Sequence, residues 1–142
     1  MKRLFQFVSL VLVLSMALAI PAQASQIDPR ASEFFMSHSS YIQELSSTQF
    51  KVWFQVAALH IMDELGASKI YVQRSTDGVN WETVQTYSKA NYVSMVCSNT
   101  GTHSGYVMYT GASPNYFYRA RVDYYAKLGS STATYIDYTA YI

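Results

Sequence analysis

The chain has few of the cysteine and histidine residues that disulfide-linked and metal-binding proteins require. Cys97 is the only cysteine among 142 residues, so no disulfide can form within the chain. The three histidines, His38, His60 and His103, are far apart, and no metal-ligand or calcium-loop spacing occurs. The sequence therefore predicts no metal and no cofactor. A mature chain of this size can bury a sizeable core without disulfides or bound metals.

Cys97 allows two interpretations. It is either a small, semi-buried apolar side chain or the link of an intermolecular disulfide. The first is favoured, because thiols that survive outside cells are usually shielded. We therefore expect a monomer, with a dimer linked through Cys97 as the alternative.

An excess of charge of one sign is also lacking. Lys and Arg total 10 and Asp and Glu total 9, so the formal net charge is +1. This balance leaves no basic field to hold nucleic acid and no polybasic patch for an anionic membrane. Nucleic acid is therefore excluded from the expected partners.

Long hydrophobic runs are absent after the first segment of the chain. Two basic residues open that segment, an apolar run covers residues 4–20, and Ala22-Gln23-Ala24 ends it. This pattern is typical of a secretory signal peptide that is cleaved after Ala24. No later run approaches the roughly 18 to 20 residues of a transmembrane helix. We therefore expect a secreted, extracellular protein whose mature form has no membrane span.

What the mature chain does contain is alternation of apolar and polar residues. The clearest runs are Phe50–Leu59, Lys69–Ser75 and Tyr116–Tyr125, and turn residues separate such runs. The residues predicted to face the core are Val52, Phe54, Val56, Ala58, Ile70, Val72, Val84, Tyr118, Ala120, Val122, Tyr124, Ile136, Tyr138 and Ala140.

Turn signals divide these runs into strands. Asp63–Gly66 and Thr76–Asn80 are predicted turns, and Ser88–Thr102 is predicted to be a longer loop or a ragged edge strand. About seven strands without a long helix predict an all-β fold, an antiparallel β-sandwich. The expected organisation is a signal peptide (1–24), an irregular leader (25–40) and a single β-sandwich domain (41–142).

Two segments resemble fibronectin type III and related immunoglobulin-like domains. Ile70–Val84 is similar to the C–C′ hairpin of such domains, and Ser113–Val122 is similar to their F strand. The whole mature chain also resembles small secreted proteins of Gram-positive bacteria that have no assigned activity. That likeness is carried by Met62–Ala67, Ser75-x-Asp77-Gly78-x-x-Trp81, His103–Gly105 and Tyr118–Ala120. The resemblance implies an immunoglobulin-like sandwich and transfers no active site.

In a fibronectin-like fold, strands C, F and G share a sheet with F in the middle. Tyr71, Arg119, Arg121 and Tyr135 would then face outward together, as candidate binding residues. Tyr and Arg are enriched at recognition surfaces, and aromatic faces also stack on sugar rings. The alternative is that these side chains pair across strands and only cover the sheet.

Trp53 is a further candidate binding residue. It alternates with the core residues of its strand and lies between Lys51 and Gln55, so it should face away from the core. It is either covered by the leader or an exposed aromatic side chain.

No nucleophile motif and no catalytic pairing of residues stands out. We therefore expect a secreted, non-enzymatic binding or interaction module whose ligand is an extracellular protein or a carbohydrate. Two alternatives stay open: a small secreted hydrolase with a loop-borne acidic or histidine site, and a self-associating structural surface protein.

The signal-peptide pattern makes a first prediction. Secreted material should begin at Ser25, because Ala22 and Ala24 are the small residues that a signal peptidase requires. N-terminal sequencing of protein recovered from the medium checks this. A membrane-bound product that retains Met1 would contradict it.

Overall fold

The computed structural model describes residues 31–142, so the predicted signal peptide and residues 25–30 of the predicted leader lie outside the described residues. The described elements are the helical turn α1 (Ala31–Phe34), a 3₁₀ turn (Val93–Met95) and the strands β1 (Phe35–Ser46), β2 (Gln49–Ser75), β3 (Glu82–Ser88), β4 (Val96–Tyr109), β5 (Phe117–Leu128) and β6 (Ser131–Tyr138). All strand pairs are antiparallel, which confirms the all-β prediction with six strands rather than seven. No helix in this part of the chain is long and apolar enough to cross a membrane.

The long strand β2 is shared by both halves of the structure. Its first half pairs with β1 on one edge and β4 on the other, and its second half pairs mainly with β5 and β3. At about 3.3 Å per residue, a straight strand of this length would span roughly 90 Å, several times the size of one domain. Register shifts at Ala57/Met62 against β4 and at Ala67/Lys69 against β5 interrupt the ladder. Such irregularities bend a strand.

The bend brings the two ends of β2 together. The ring of Phe50, near the start of β2, lies 5.4 Å from the ring of Tyr118. Tyr118 in turn pairs with Arg74, near the end of β2. The sheet therefore curls, with strand order β1-β2-β4 in one half and β6-β5-β2-β3 in the other.

The core lies between these two halves. The predicted inward parity is confirmed for the three clearest runs: Val52, Phe54, Val56, Ala58, Ile70, Val72, Tyr118, Ala120, Val122 and Tyr124 are all buried. Val84 is partly buried against the core, and Tyr87 is the buried residue of β3. Both halves of β2 contribute side chains to this one core. The side chains that alternate with these core residues therefore face outward, on one side of the core in the first half of β2 and on the opposite side in the second half.

Strands extend into three segments for which the sequence predicts a turn or irregular structure. Asp63–Gly66 was expected to turn the chain but continues β2, because β4 and β5 bond to its two edges. Ser88–Thr102 was expected to be a longer loop or a ragged edge strand. It contains a 3₁₀ turn with Met95 buried and the first residues of β4, which pairs with β2 alone among the described strands, so the edge-strand alternative holds for its second part. The predicted leader 25–40 is already strand β1 from Phe35 onward.

The parity predicted for the closing strand is wrong. Ile136 is only partly buried, Tyr138 and Ala140 are exposed, and Ala133 is buried. The β5–β6 hairpin sets this register by pairing Tyr124 with Tyr135. Cross-strand partners share a face, so Tyr135 follows the buried Tyr124 inward.

The predicted hairpin turn at Thr76–Asn80 is confirmed. Gly78 has φ 71°, and Asp77 Oδ1 accepts hydrogen bonds from the backbone N–H groups of Val79 at 2.9 Å and Asn80 at 2.8 Å. These backbone N–H groups hold the pKa of Asp77 well below its usual range.

Substitution of Gly66 tests whether the fold requires the close approach of β2 to the backbone of Met95 and Val96. A Cβ there would lie 2.8 Å from Val96 Cα and would clash with the Met95 carbonyl oxygen, both of which are backbone atoms. Gly66→Ala should therefore destabilise the fold by about 1–3 kcal/mol or more and lower Tm by roughly 5–15 °C.

Gly101→Ala is the matched control for this change. The nearest atom to its added Cβ would be the His60 carbonyl oxygen at 3.8 Å, an ordinary contact. Thermal unfolding should leave this variant close to the parent. Equal melting temperatures for the two variants would contradict the described packing at Gly66.

Candidate functional site

One outer face of the sheet carries three aromatic rings side by side. Tyr41 on β1 pairs with Trp53 on β2, and Trp53 pairs with Tyr106 on β4. Ring centroids are 6.3 Å apart for Tyr41–Trp53, with an interplanar angle of 14°, and 4.7 Å apart for Trp53–Tyr106. Tyr41 is 55% exposed and Tyr106 is 44% exposed. We call Tyr41, Trp53 and Tyr106 the aromatic row.

Polar neighbours hold the central ring of the aromatic row. Trp53 Nε1 donates a hydrogen bond to Gln43 Oε1 at 2.8 Å. Lys51 Nζ lies 4.1 Å from the ring centroid of Tyr106 and 5.5 Å from that of Trp53. The row is therefore a positioned surface that combines flat apolar rings with hydrogen-bonding groups.

The opposite outer face carries arginine among aromatic rings. Arg121 lies with its guanidinium carbon 4.9 Å from the ring centroid of Tyr71. Its Nε and Nη2 donate to the two carboxylate oxygens of Asp123 at 2.8 and 3.1 Å. Arg121 and Tyr71 thus already have partners within the protein. This agrees with the alternative that these side chains pair across strands and only cover the sheet.

Arg119 on the same face has different partners. Its guanidinium carbon lies 4.4 Å from the ring centroid of Trp81 and 4.7 Å from that of Tyr138. Its Nε donates to Gln73 Oε1 at 2.9 Å. We call Arg119, Trp81 and Tyr138 the arginine clamp. Nearby, the ring of Tyr141 contacts the rings of Trp81 and Phe117.

The structure brings together only some of the predicted site residues. Tyr71, Arg119 and Arg121 share one outer face, whereas Trp53 lies on the other. Trp53 is partly exposed and stacks with its neighbours in the aromatic row. The expectation that Tyr135 faces outward is wrong, because this side chain packs against the core and its ring lies 4.1 Å from that of His38.

The sequence interpretation missed Trp81 and Tyr138 as members of this face. Trp81 precedes β3 and reaches across the sheet to Arg119. Tyr138 was assigned inward by the wrong parity of β6, although it pairs with Arg121, which faces outward. The spacing of the β5–β6 turn was the signal that could have corrected this register.

His38 belongs to a contact between the first and last strands. His38 Nδ1 lies 3.6 Å from Asp137 Oδ2, and the rings of Tyr124 and Tyr135 pack on the imidazole. Within residues 31–142 no group of three or more His, Cys, Asp or Glu side chains could hold a metal ion.

Cys97 is exposed on β4, so the expectation of a semi-buried thiol is wrong. Cys97 is the register partner of Leu65 on β2, and Leu65 is buried whereas Cys97 is exposed. Exposure alone assigns no partner to this thiol.

An open cavity of about 700 Å³ lies at the end of the sheet where the ends of β2 meet. It is lined by Glu44, Leu45, Ser46, Ser47, Phe50, Ala112, Ser113, Pro114, Tyr116, Phe117, Tyr118 and Ile142. Glu44 is the single acidic side chain in this lining, and no histidine or cysteine accompanies it.

Comparison with known proteins assigns no family. No family model matches the chain, and no curated protein matches it. A solved structure that is similar is a crystal structure of a protein from Archaeoglobus fulgidus, with 7% sequence identity and a TM-score of 0.36. That match covers 76% of this chain and 94% of the archaeal chain.

The corrected facing of Tyr135 and Tyr138 makes a stability prediction. Tyr135→Ala removes a ring that packs on His38 and the core, and should cost about 2 kcal/mol or more, visible as a lower Tm. Tyr138→Ala removes a ring that is 45% exposed and should leave Tm within about 3 °C of the parent. Thermal melts that rank the two variants the other way would contradict the described register of β6.

Proposed function

We propose that this protein is an exported, non-enzymatic binding module whose ligand, an extracellular glycan or protein, docks on the aromatic row. The observation that carries the proposal is the alignment of three partly or mainly exposed rings at one register position of three adjacent strands. Large exposed aromatic side chains are characteristic of recognition surfaces. Export is supported by the signal-peptide pattern of residues 1–24.

The row is suited to stacking because its geometry is set before any ligand arrives. The Trp53–Gln43 hydrogen bond and the stack with Tyr41 restrain the indole ring. A side chain that is already restrained loses little conformational entropy when it binds. The exposed polar side chains of Gln55 and Ser104 lie on adjacent strands beside the row and offer hydrogen bonds to hydroxyl groups.

We further propose that the scaffold is an immunoglobulin-like sandwich of the fibronectin type III kind. Two observations support it: the core lies between two strand layers, and β5 lies between β6 and the second half of β2, as F lies between G and C. The chain departs from that fold in one respect. Here β2 runs continuously where the fold has two strands joined by a loop.

A hydrolase is the less favoured alternative. Glycoside hydrolysis generally uses two carboxyl groups on either side of the scissile bond. The open cavity at the end of the sheet supplies Glu44 as its single acidic side chain. His38 and Asp137 form a close pair, but the rings of Tyr124 and Tyr135 pack on the imidazole and neither residue lines that cavity.

Substitution of the aromatic row tests the proposal. The mature chain is first screened against immobilised glycans and extracellular proteins, and affinity for the ligand found is then measured by calorimetry. Trp53→Ala and Tyr106→Ala should each weaken binding by at least about tenfold, equivalent to about 1.4 kcal/mol. Melting temperatures should stay within a few degrees, since both rings lie outside the core.

Tyr141→Ala is the matched control, because this tyrosine is 60% exposed and lies near Trp81 and Phe117, away from the aromatic row. It should bind as the parent does. Unchanged affinity of Trp53→Ala would contradict the proposal. A mass that rises with protein concentration and falls in Trp53→Ala would instead favour self-association through the row.

A further inference from the structure

Arg119 differs from the other arginines in the described part of the chain. Arg74 is paired with Glu82, and Arg121 is paired through two hydrogen bonds with Asp123. Arg119 makes no ion pair with any carboxylate of residues 31–142, and its single side-chain hydrogen bond uses Nε and Gln73. Its two terminal nitrogens therefore remain available on an outer face of the sheet.

The arginine clamp fixes where this guanidinium lies. Trp81 precedes β3 and Tyr138 ends β6, so the two rings reach Arg119 from opposite sides of the four-strand half. Gln73 lies directly across from Arg119 on β2 and holds Nε. A planar group held by two rings and one hydrogen bond presents its remaining donors in a set direction.

No carboxylate of residues 31–142 compensates the charge of Arg119, and Tyr138 offsets only part of the effect of burial. Burial lowers the pKa of Arg119, and no carboxylate opposes the effect, although the guanidinium stays charged. At Arg121 burial acts in the same direction, but the hydrogen bonds and charge of Asp123 outweigh it and raise the pKa. A bound anion would stabilise the charged form of Arg119 and raise its pKa, as Asp123 does for Arg121.

We propose that the arginine clamp is a second binding site, for an acidic polysaccharide that contains uronic acid residues. One uronate carboxylate pairs with the terminal nitrogens of Arg119, and the apolar face of the same or the next sugar ring packs on Tyr138, which is 45% exposed. The site lies on the opposite outer face from the aromatic row and uses none of its residues, so either proposal can fail without the other.

A carboxylate on a sugar fits this site better than a sulfate or phosphate polymer. Densely charged polymers are held by clusters of cations, whereas here Arg121 is occupied by Asp123 and the whole chain has a formal net charge of +1. A uronic acid carries one carboxylate beside one apolar ring face, which matches one guanidinium beside one exposed ring. Planar bidentate pairing with carboxylate is the interaction that arginine provides and lysine does not.

Tryptophan fluorescence can report on each face separately, because Trp53 and Trp81 are the two tryptophans of the chain. In a Trp53→Phe background, Trp81 beside Arg119 is the single reporter. Titration with an oligogalacturonate should change its emission and saturate. The same titration in a Trp81→Phe background should leave the emission of Trp53 unchanged.

Two arginine variants test the assignment in the Trp53→Phe background. Arg119→Gln should weaken oligogalacturonate binding by at least about tenfold. Arg74→Gln removes the same charge from an arginine that pairs with Glu82, and should change the affinity by less than about twofold. Arg119→Lys keeps the charge but loses the planar fork and should also bind more weakly than the parent.

The ligands provide the remaining controls. Fully methyl-esterified oligogalacturonate, which keeps the sugar chain and loses the charge, should not bind. Three results would overturn the proposal: no response of the parent at about 1 mM oligogalacturonate, equal losses in Arg119→Gln and Arg74→Gln, or binding of a glutamate-rich peptide in place of the uronate. If Arg119→Gln unfolds, judged by its thermal melt, Arg119→Lys decides the outcome.

Discussion

The structure depends on one constraint, which is that a single strand takes part in both halves of the sheet. The first half of β2 pairs with β1 and β4, and its second half pairs mainly with β5 and β3. Because both halves add side chains to one core, the bend between them also fixes which residues face outward. The aromatic row and the arginine clamp lie on opposite outer faces for this reason. Backbone packing at the bend leaves no room for a side chain at Gly66.

The two candidate sites use aromatic rings in different ways. In the aromatic row the rings themselves are the exposed surface, and Gln43 and Lys51 position them. In the arginine clamp the rings position a cation, and the terminal nitrogens of Arg119 are the hydrogen-bond donors that a ligand would use. Arg121, two residues along the same strand, has similar aromatic contact but an internal carboxylate. One acidic residue thus separates a structural arginine from a candidate binding arginine.

The sequence could predict strands whose two faces differ in polarity. Alternation over Phe50–Leu59 and Tyr116–Tyr125 predicted the core correctly, because one face of each run is wholly apolar or aromatic. It could not predict that β2 continues through Asp63–Gly66, since acidic residues and glycine are typical of turns and long-range pairing overrode that preference. In β6 both faces carry tyrosine, so periodicity could not choose the register that places Tyr135 inward. Trp81 was missed because its contact with Arg119 spans the sheet.

The shared strand also has a consequence for the time course of folding. β1 and β2 are neighbours in sequence, but the ladder of β2 with β5 pairs Glu64 with Lys127 near the far end of the chain. Pairings between distant segments require large loops to close first, which slows folding to the millisecond-to-second range typical of sheet proteins. The second half of β2 cannot complete its pairing until β5 has been synthesised. Such a delay would favour the export that we propose, because a chain that is still unfolded can be translocated.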